Sequence, residues 1–347
     1  MVKVVIKNIK LYQENIEKAL QNNKFEGLKN QSVLITGANG LIGSAIIDVL
    51  NYLNEKLKYN INIIAAVRNV NKVNERFKEY RELTILEQDV TNKIEIPYKA
   101  DYIIHAASNA HPKAYSEDPV GTMLGNFLGM NNVMEYAKSC GCKKVEYVSS
   151  GEVYGQSDIK DIVFNEEYIG KVDSTNPRSC YPLSKLASET LCVSYSQQFG
   201  IETVIARPCH VYGPTQTESD TRVSAQFIRN VLEDKDIVMK SEGLQTRSYC
   251  YVVDCATAIL TILLYGKSGN AYNVSNKNSI ITIREMADCI AKQNNKKVIF
   301  ELPTQKEKMG FTPITRAVLD STKLEELGWK ACWSFEDGIK QTINIMK

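Results

Sequence analysis

The sequence has no long apolar run and almost no excess of charge of one sign. Its longest apolar stretch, Ala256–Tyr265, contains two threonines and is about half as long as a membrane-spanning helix requires. Lys and Arg (42) nearly balance Asp and Glu (40) among 347 residues, which argues against nucleic acid or an acidic membrane as a partner. Met1–Lys10 has no continuous apolar core and does not resemble a secretory signal. We therefore expect a cytoplasmic protein.

Residues that commonly hold metals are few and poorly spaced. The three histidines (His105, His111 and His210) do not have the spacing of zinc ligands, and no Cys-x-x-Cys pair occurs. The cysteines number nine and are scattered, which favours free thiols in a reducing compartment. We expect no metal site.

Short apolar runs alternate with helical patterns from residue 32 onward. The predicted strands are Ser32–Thr36, Asn62–Val67, Leu83–Leu86, Tyr102–Ala106, Lys144–Val148 and Glu202–Ala206. The predicted helices are Leu41–Leu53, Val73–Tyr80, Thr122–Ser139, Pro182–Phe199, Val223–Leu232 and Ile283–Lys292. This alternation indicates βαβ units and a parallel sheet with helices on both faces.

A glycine-rich loop, TGANGLIG at 36–43, follows the first predicted strand directly. Gly37 permits a tight turn, Gly40 lets the backbone approach a pyrophosphate, and Gly43 lets helix and strand pack closely. With a strand before it and a helix after it, the loop predicts dinucleotide binding by a Rossmann-type, doubly wound α/β fold. The loop residues expected to contact the dinucleotide are Gly37, Asn39, Gly40, Leu41, Ile42 and Gly43.

The regular alternation ends near residue 206. We therefore predict an N-terminal extension (1–30), a dinucleotide-binding domain (31–206) and a smaller, mixed α/β substrate domain (207–347). Some segments of the last domain are expected to return to the first. The smaller portion should close over the carboxyl edge of the parallel sheet, where such folds bind their ligands.

The residues after the second and third strands affect the choice of cofactor. An NAD site usually has an acid at the end of the second strand, where it binds the ribose 2′-hydroxyl. This chain has Arg68 there, which either pairs with the 2′-phosphate of NADP, stacks on adenine or is simply solvated. Asp89 and Val90 are placed to meet the adenine, with a helix N-cap as the alternative role of Asp89. We expect NAD, with NADP as the alternative.

Tyr181 and Lys185 are four residues apart and therefore lie on one face of a predicted helix. Oxidation of a hydroxyl to a ketone needs a base for the alcohol proton while hydride leaves for nicotinamide. A nearby lysine and the cationic nicotinamide are both expected to lower the pKa of the phenol from about 10. Ser150, after the fifth predicted strand, can hydrogen-bond the reacting oxygen.

Together these motifs resemble the extended short-chain dehydrogenase/reductase family of enzymes that act on nucleotide sugars. The resemblance covers nearly the whole chain and implies oxidation of the sugar C4 hydroxyl with bound NAD. It also implies a homodimer through two long helices, for which Thr122–Ser139 and Pro182–Phe199 are the candidates. The further cofactor-binding residues that it implies are Ala106, Ala107, Ser108, Asn126, Tyr181, Lys185 and Pro208.

The C-terminal part resembles the nucleotide-sugar site of this family. Arg247, within QTRSY at 245–249, matches the arginine that grips the diphosphate, and Arg316 matches another substrate arginine. A guanidinium suits a diphosphate because it forms bidentate, charge-assisted hydrogen bonds, although either arginine could instead form a surface ion pair. The other substrate-binding residues that the resemblance suggests are His111, Ser150, Gly151, Glu152, Arg178, His210 and Arg222.

Within this family, the residues after the serine separate the reactions that follow C4 oxidation. A 4,6-dehydratase usually has an Asp-Glu pair whose aspartate protonates the departing C6 hydroxyl, whereas this chain has Gly151-Glu152. A plain 4-epimerase usually has no acid at the Glu152 position. Glu152 and Arg316 are candidates for protonating C5, with a purely structural carboxylate as the alternative for Glu152.

Asn176–Tyr181 and the loop Ala107–Tyr115 are similar to the corresponding segments of UDP-glucuronate decarboxylases. Oxidising C4 of a glucuronate turns its C6 carboxylate into a β-keto acid, so carbon dioxide leaves without a dedicated acid. Three positions depart from that group. Gly151 replaces a serine or threonine, Pro182 follows the tyrosine where an acid is usual, and His210 replaces an asparagine that touches the sugar nucleotide.

The leading interpretation is an NAD-dependent decarboxylase of a UDP-glucuronate-type nucleotide sugar, which yields a 4-keto-pentose or a pentose. The enzyme alternatives are a 4-epimerase, a 4,6-dehydratase and an NADPH-dependent 4-keto-sugar reductase. The non-enzyme alternative is a dinucleotide sensor, against which the joint presence of Ser150, Tyr181 and Lys185 argues.

Overall fold

The computed structural model describes residues 5–110, 112–301, 303–304 and 314–347. Its strands are β1 (Ser32–Thr36), β2 (Asn62–Val67), β3 (Leu83–Glu87), β4 (Tyr102–His105), β5 (Lys144–Val148), β6 (Glu202–Pro208), β7 (His210–Tyr212), β8 (Ile237–Met239), β9 (Thr246–Tyr251), β10 (Asn270–Val274), β11 (Ile280–Thr282), β12 (Val298–Phe300) and β13 (Arg316–Ala317). Its α-helices are α1 (Lys10–Leu20), α2 (Leu41–Leu57), α3 (Asn71–Phe77), α4 (Pro112–Glu117), α5 (Pro119–Cys140), α6 (Cys180–Phe199), α7 (Val223–Leu232), α8 (Val252–Tyr265) and α9 (Ile283–Lys292), followed by Thr322–Glu325 and Phe335–Met346.

Seven strands form one parallel sheet in the order β10-β6-β5-β4-β1-β2-β3. Apart from β10 at the edge, this is the doubly wound order of a dinucleotide-binding fold, so the predicted Rossmann-type class is confirmed. Helices α1, α2 and α8 pack on one face, and α5 and α6 pack together on the other. Because both faces are covered, the central strands are mostly buried and apolar, with buried polar exceptions such as His105 on β4 and Glu146 on β5.

Most element boundaries follow the sequence pattern, and the differences have local causes. β1, β2, β5, α7 and α9 have the predicted bounds. β6 continues through Arg207 and Pro208 because β10 pairs alongside them. α5 begins three residues earlier than predicted, at Pro119, since the Asp118 carboxylate caps the helix by accepting from the Gly121 N–H at 2.9 Å.

A smaller sheet is built mainly from the C-terminal part of the chain. A single residue, Cys209, separates β7 from the end of β6. β7 pairs with β9, which also pairs with β11 and β13. β8 and β12 form a separate parallel pair. β10 instead joins the main sheet. His210 on β7 and Arg247 on β9 therefore lie just beyond the carboxyl end of β6, which is the edge expected to bind ligands.

The N-terminal segment, expected as an extension, is packed into the main core. Tyr12, Ile16 and other apolar side chains of this segment are buried in the same cluster as the helices of the Rossmann sheet. The Tyr12 hydroxyl donates to Asp48 on α2 at 2.8 Å, and the Asn15 amide donates to the Tyr251 hydroxyl at 3.0 Å. The segment therefore links α2 to the start of α8.

No described helix combines the length and apolar character that crossing a bilayer requires. Among the described residues, no group of His, Cys, Asp and Glu side chains is arranged to hold a metal ion. All nine cysteines are free thiols.

Candidate active site

The glycine loop joins β1 to α2 in a conformation that requires glycine. Gly37 has φ +65°, and a Cβ there would lie 2.7 Å from the Ala106 backbone. A Cβ on Gly43 would overlap the Gly37 carbonyl. No side chain caps the N-terminus of α2 at Gly40, so the first-turn N–H groups are available to an anion. These features fit the pyrophosphate of a dinucleotide.

Residues after β4 support this loop and connect it to α6. The Thr36 hydroxyl and His105 Nδ1 are 2.7 Å apart, and the Ala107 N–H donates to the Thr36 hydroxyl at 3.3 Å. Ser108 donates to the Asn126 side chain (2.8 Å), whose amide donates to Ser184 on α6 (2.9 Å). Asn126 is therefore placed to hold the loop after β4 against the helix that carries Tyr181.

Arg68 and Asp89 lie near each other at the ends of β2 and β3. Arg68 is exposed, and its charge contributes to lowering the pKa of Asp89. The larger cause is the Thr91 backbone N–H, which donates to Asp89 Oδ1 at 2.9 Å. Asp89 thus caps a turn, and its neighbour Val90 is buried. This end of the site presents the Arg68 guanidinium toward solvent.

The N-terminal half of α6 carries Tyr181 and Lys185 on a buried face. Lys185 Nζ donates to the Val148 carbonyl at the end of β5 at 2.8 Å. It also lies 4.7 Å from the ring centre of Tyr147 and 5.7 Å from that of Tyr181. The Ser150 side chain hydrogen-bonds the Tyr181 phenol. The structure therefore brings Ser150, Tyr181 and Lys185 together, as the sequence predicts.

Burial dominates the acid–base properties of this pair. It raises the pKa of Tyr181 to about 12, aided by the Glu152 charge and opposed by Ser150, Arg222 and Tyr115. Burial lowers the pKa of Lys185 to about 7. The groups that lower the pKa of Tyr181 are Ser150, Arg222 and Tyr115. The expectation that Lys185 and a bound cationic nicotinamide lower it further stays a prediction.

Glu152 and Arg178 form an ion pair beside the phenol. Ser150 accepts from the Glu152 N–H at 3.1 Å and so caps the 3-10 helix that carries Glu152. Glu152 Oε2 lies 3.2 Å from Arg178 Nη2. The Arg178 guanidinium lies 4.5 Å over the ring centre of Tyr115, and that ring stacks on Tyr181. A carboxylate and a guanidinium thus lie beside the stacked Tyr115–Tyr181 pair.

Gly151 has an apolar neighbour where a dehydratase carries an acid. A Cβ on Gly151 would lie 2.9 Å from Leu319 Cδ1 and 3.4 Å from the Pro208 carbonyl oxygen. A side chain as large as aspartate would therefore require Leu319 to move. The space beside Glu152 is filled by a hydrocarbon group from the C-terminal part of the chain.

Two arginines of the site, the buried Arg247 and the half-buried Arg222, come from the C-terminal part. Arg247 is 3% exposed and donates to the carbonyls of Thr246 (2.9 Å) and Ile314 (2.5 Å). No carboxylate within the described ranges forms an ion pair with it. Burial lowers its pKa, a cost that a bound anion would offset. Arg222 pairs with Asp220.

His210 is an exposed residue near both arginines. Its ring centre is 5.6 Å from that of Tyr249. Surrounding protein lowers the pKa of His210, and the charges of Arg247 and Arg222 act in the same direction. A neutral imidazole there can both donate and accept a hydrogen bond.

Arg316 contacts the loop 156–162. Its Nε donates to the Ile162 carbonyl at 2.8 Å, and it lines a pocket of about 330 Å³ with that loop. That Arg316 protonates C5 stays a prediction. His111 lies outside the described residues.

Three contributors were missed by the sequence reasoning. Tyr115, Glu189 and Arg207 are brought to the site only by packing. Glu189 follows Lys185 by one helical turn and binds Arg207 through both carboxylate oxygens (3.0 and 2.6 Å). The i,i+4 spacing from Lys185 was the one local signal for Glu189.

A glycine-lined loop at the end of β1 and a Tyr-Lys pair after β5 define a dinucleotide-dependent enzyme of the Rossmann type. The family model described as "NAD dependent epimerase/dehydratase family" matches residues 33–275. The chain belongs to this family. The prediction of an NAD-dependent enzyme is confirmed.

Curated and solved relatives include several activities of this family. The chain is 32% identical over 323 residues to UDP-glucuronic acid decarboxylase 5 of Arabidopsis thaliana, covering 92% of this chain and 90% of the relative. It is 30% identical to a putative UDP-glucose 4-epimerase of Methanocaldococcus jannaschii, covering 91% and 98%. The structure of UDP-glucose 4-epimerase from Thermus thermophilus in complex with NAD is similar in fold, with a TM-score of 0.75, 24% identity and coverage of 91% and 98%.

Proposed function

We propose that the protein decarboxylates a UDP-glucuronate-type nucleotide sugar after oxidising its C4 hydroxyl. One observation carries the proposal: Ser150 and Tyr181 lie beside the Glu152–Arg178 pair, while Leu319 fills the space where a dehydratase carries an acid. This site has a base, a proton carrier and a cation for a carboxylate, and at Gly151 the described residues offer Leu319 rather than an acid for a C6 hydroxyl. Similarity to the plant decarboxylase supports the same choice.

The first step is oxidation at C4. Gly37, Gly40 and Gly43 would hold the pyrophosphate of NAD, which, when bound, accepts the hydride that leaves C4. Tyr181 takes the proton of the C4 hydroxyl, and Ser150 donates a hydrogen bond to the same oxygen. Arg247, buried without a carboxylate partner among the described residues, would bind the substrate diphosphate.

The second step is loss of the carboxylate. With C4 as a ketone, the C5–C6 bond breaks and its electron pair forms the C4–C5 enolate as carbon dioxide leaves. Tyr181 and Ser150 hydrogen-bond the enolate oxygen. The proton that Tyr181 took from the C4 hydroxyl is then relayed through Glu152 to C5, so the step needs no other proton source. Arg178, 3.2 Å from Glu152, offers its guanidinium to the substrate carboxylate before it leaves.

Mass spectrometry of the products tests this reaction directly. Incubated with NAD, UDP-glucuronate should lose the mass of carbon dioxide and two hydrogens where the 4-keto-pentose is released, or of carbon dioxide alone where NADH re-reduces the ketone. UDP-glucose should not lose the mass of water. Glu152→Gln should lower kcat more than it raises KM, because the amide keeps the shape but carries no proton. Loss of water from UDP-glucose would indicate a dehydratase. Unchanged mass with inverted C4 would indicate an epimerase and contradict the proposal.

We also infer a homodimer formed through α5 and α6. The apolar side chains of α5 that remain exposed follow helical spacing, and two more are exposed on α6; they are Val120, Met123, Leu124, Phe127, Leu128, Val193 and Phe199. A continuous apolar stripe of this kind marks an interaction surface. Light scattering should report twice the chain mass, and Phe127→Glu should reduce it to that of one chain. A wild-type protein with the mass of one chain would refute the dimer.

A cytoplasmic location is our inference from the cysteines. Burial raises the pKa of the Cys192 and Cys142 thiols, which disfavours the reactive thiolate. Nine free thiols are expected to persist in a reducing compartment. Fractionation of the source cells would test this location, and recovery outside the cytoplasm would contradict it.

A further inference from the structure

We propose that Tyr115 is a positioning residue for the catalytic phenol: its ring holds the Tyr181 ring in place, and its hydroxyl donates to the Tyr181 oxygen. The inference rests on the proposed function, because it takes Tyr181 as the group that removes the C4 proton. It adds a residue from α4 to a site otherwise built from α6 and the loop after β5.

The contact between the two tyrosines is close and buried. Their ring centres are 4.7 Å apart with planes inclined by 24°. Tyr115 is 3% exposed and Tyr181 is 4% exposed, and with Cys180 they form a small cluster separate from the main core. A stacked pair in this geometry restricts rotation of both rings. Tyr115 therefore limits where the Tyr181 oxygen can be.

Arg178 connects Tyr115 to the acid of the site. The guanidinium lies 4.5 Å over the Tyr115 ring centre while Nη2 pairs with Glu152. Positive charge near a phenol makes its O–H a stronger donor. The Tyr115 side chain lies close enough to the Tyr181 phenol to lower its pKa, and their rings are stacked. The Tyr115 hydroxyl is thus placed to donate to the catalytic group.

Several groups around Tyr181 raise or lower the pKa of its phenol. Glu152 opposes ionisation of the phenol, whereas Ser150, Arg222 and Tyr115 favour it. Removing the Tyr115 hydroxyl should therefore raise the pKa of Tyr181. The titratable, charged and hydrogen-bonding groups that face this phenol from the elements packed around it are Tyr115, Tyr147, Ser150, Glu152, Lys185 and Arg222.

The decisive variant is Tyr115→Phe, which keeps the ring and removes the hydroxyl. The pH dependence of kcat for UDP-glucuronate consumption, measured at saturating NAD, should show its rising limb about one unit more alkaline than in the wild type. At pH values below that limb, kcat should fall about tenfold, with KM within about twofold. Tyr115→Leu, which also removes the stacked ring, should lower kcat at alkaline pH as well.

A matched control is Tyr195→Phe, which removes a hydroxyl bound to Glu135 (2.6 Å) and Asn131 (3.0 Å). Its pH profile should match that of the wild type, whatever its stability. A Tyr115→Phe profile that superimposes on the wild type would overturn the inference.

A second measurement separates this inference from the proposed function. The pKa of Tyr181 in the NAD complex is obtained by titrating the tyrosinate absorbance and subtracting that of the same protein carrying Tyr181→Phe. This is done for the wild type and for Tyr115→Phe. The Tyr181 pKa should be higher in Tyr115→Phe, even if UDP-glucuronate proves not to be the substrate. A Tyr181 pKa that is the same in Tyr115→Phe and the wild type would exclude the hydrogen bond. If the pKa is raised in Tyr115→Phe but the wild type does not act on UDP-glucuronate, only the decarboxylase proposal is contradicted.

Discussion

Removing either partner of the Glu189–Arg207 ion pair should destabilise the protein substantially. Arg207 Nε and Nη2 bind the two carboxylate oxygens of Glu189 at 3.0 and 2.6 Å, and the side chains are only 12% and 7% exposed. The Ser149 hydroxyl donates to the same carboxylate at 2.5 Å. Arg207 Nη1 donates to the Tyr154 hydroxyl at 2.9 Å. The pair therefore joins α6 and β6 to the segment that carries Ser150.

The expected magnitude follows from this burial. Leaving one buried charge without its partner costs about 3–5 kcal/mol. Unfolding entropy of about 2.1 cal/mol/K per residue, over 347 residues, gives roughly 0.7 kcal/mol/K. Arg207→Met should therefore lower Tm by about 4–7 °C. Glu189→Leu should cost a similar amount, and the double variant should regain at least half of either loss because no buried charge remains unpaired.

Thermal unfolding followed by circular dichroism at a fixed NAD concentration measures these shifts. Asp158→Asn is the matched control, since Asp158 and Lys171 form a pair at 2.8 Å in which both side chains are 82% exposed. Its Tm should change by less than about 1 °C. An Arg207→Met variant with the Tm of the wild type would refute the reasoning from a coupled buried pair. So would a double variant whose decrease in Tm equals the sum of the decreases in the two single variants.

Three further predictions concern the cofactor and the catalytic base. Tyr181→Phe should reduce turnover by about a hundredfold or more while NAD affinity, measured by calorimetry, stays within about twofold; near-normal turnover would exclude Tyr181 as the base. Gly43→Ala should weaken NAD binding at least tenfold, about the effect of a 1–3 kcal/mol overpacking strain, because its Cβ overlaps the Gly37 carbonyl; unaltered affinity would contradict the loop assignment. Arg68→Asp should weaken NADP about tenfold relative to NAD, and an unchanged ratio of dissociation constants would show that Arg68 does not bind the 2′-phosphate.

Local patterns were sufficient to predict the Rossmann sheet and the central catalytic residues. The glycine spacing of 37, 40 and 43 is read within one loop, and the four-residue spacing of Tyr181 and Lys185 is read on one helix. The apolar periodicity of strands and helices depends only on neighbouring residues, so both can be predicted from the sequence before the fold is known. Parallel order then follows, because strands alternating with helices assemble with one handedness.

Contacts between segments distant in sequence were decided only by the tertiary structure. Leu319 beside Gly151, Tyr115 against Tyr181, and Arg207 bound to Glu189 leave no periodic trace in the chain. The packing of the N-terminal segment into the core was likewise not predictable, since its helical pattern does not specify a partner.

The electrostatics of the site also had to come from the structure. The sequence placed Lys185 near Tyr181, but only the packed structure shows that burial lowers the pKa of the lysine and raises that of the phenol. The sequence by itself determined which chemical groups lie together on the helix of Tyr181 and in the glycine loop, because their spacing along the chain sets their relative positions. Only the fold determined which of those groups ionise and which neighbours control them, because desolvation and charge–charge distances exist only once the chain is packed.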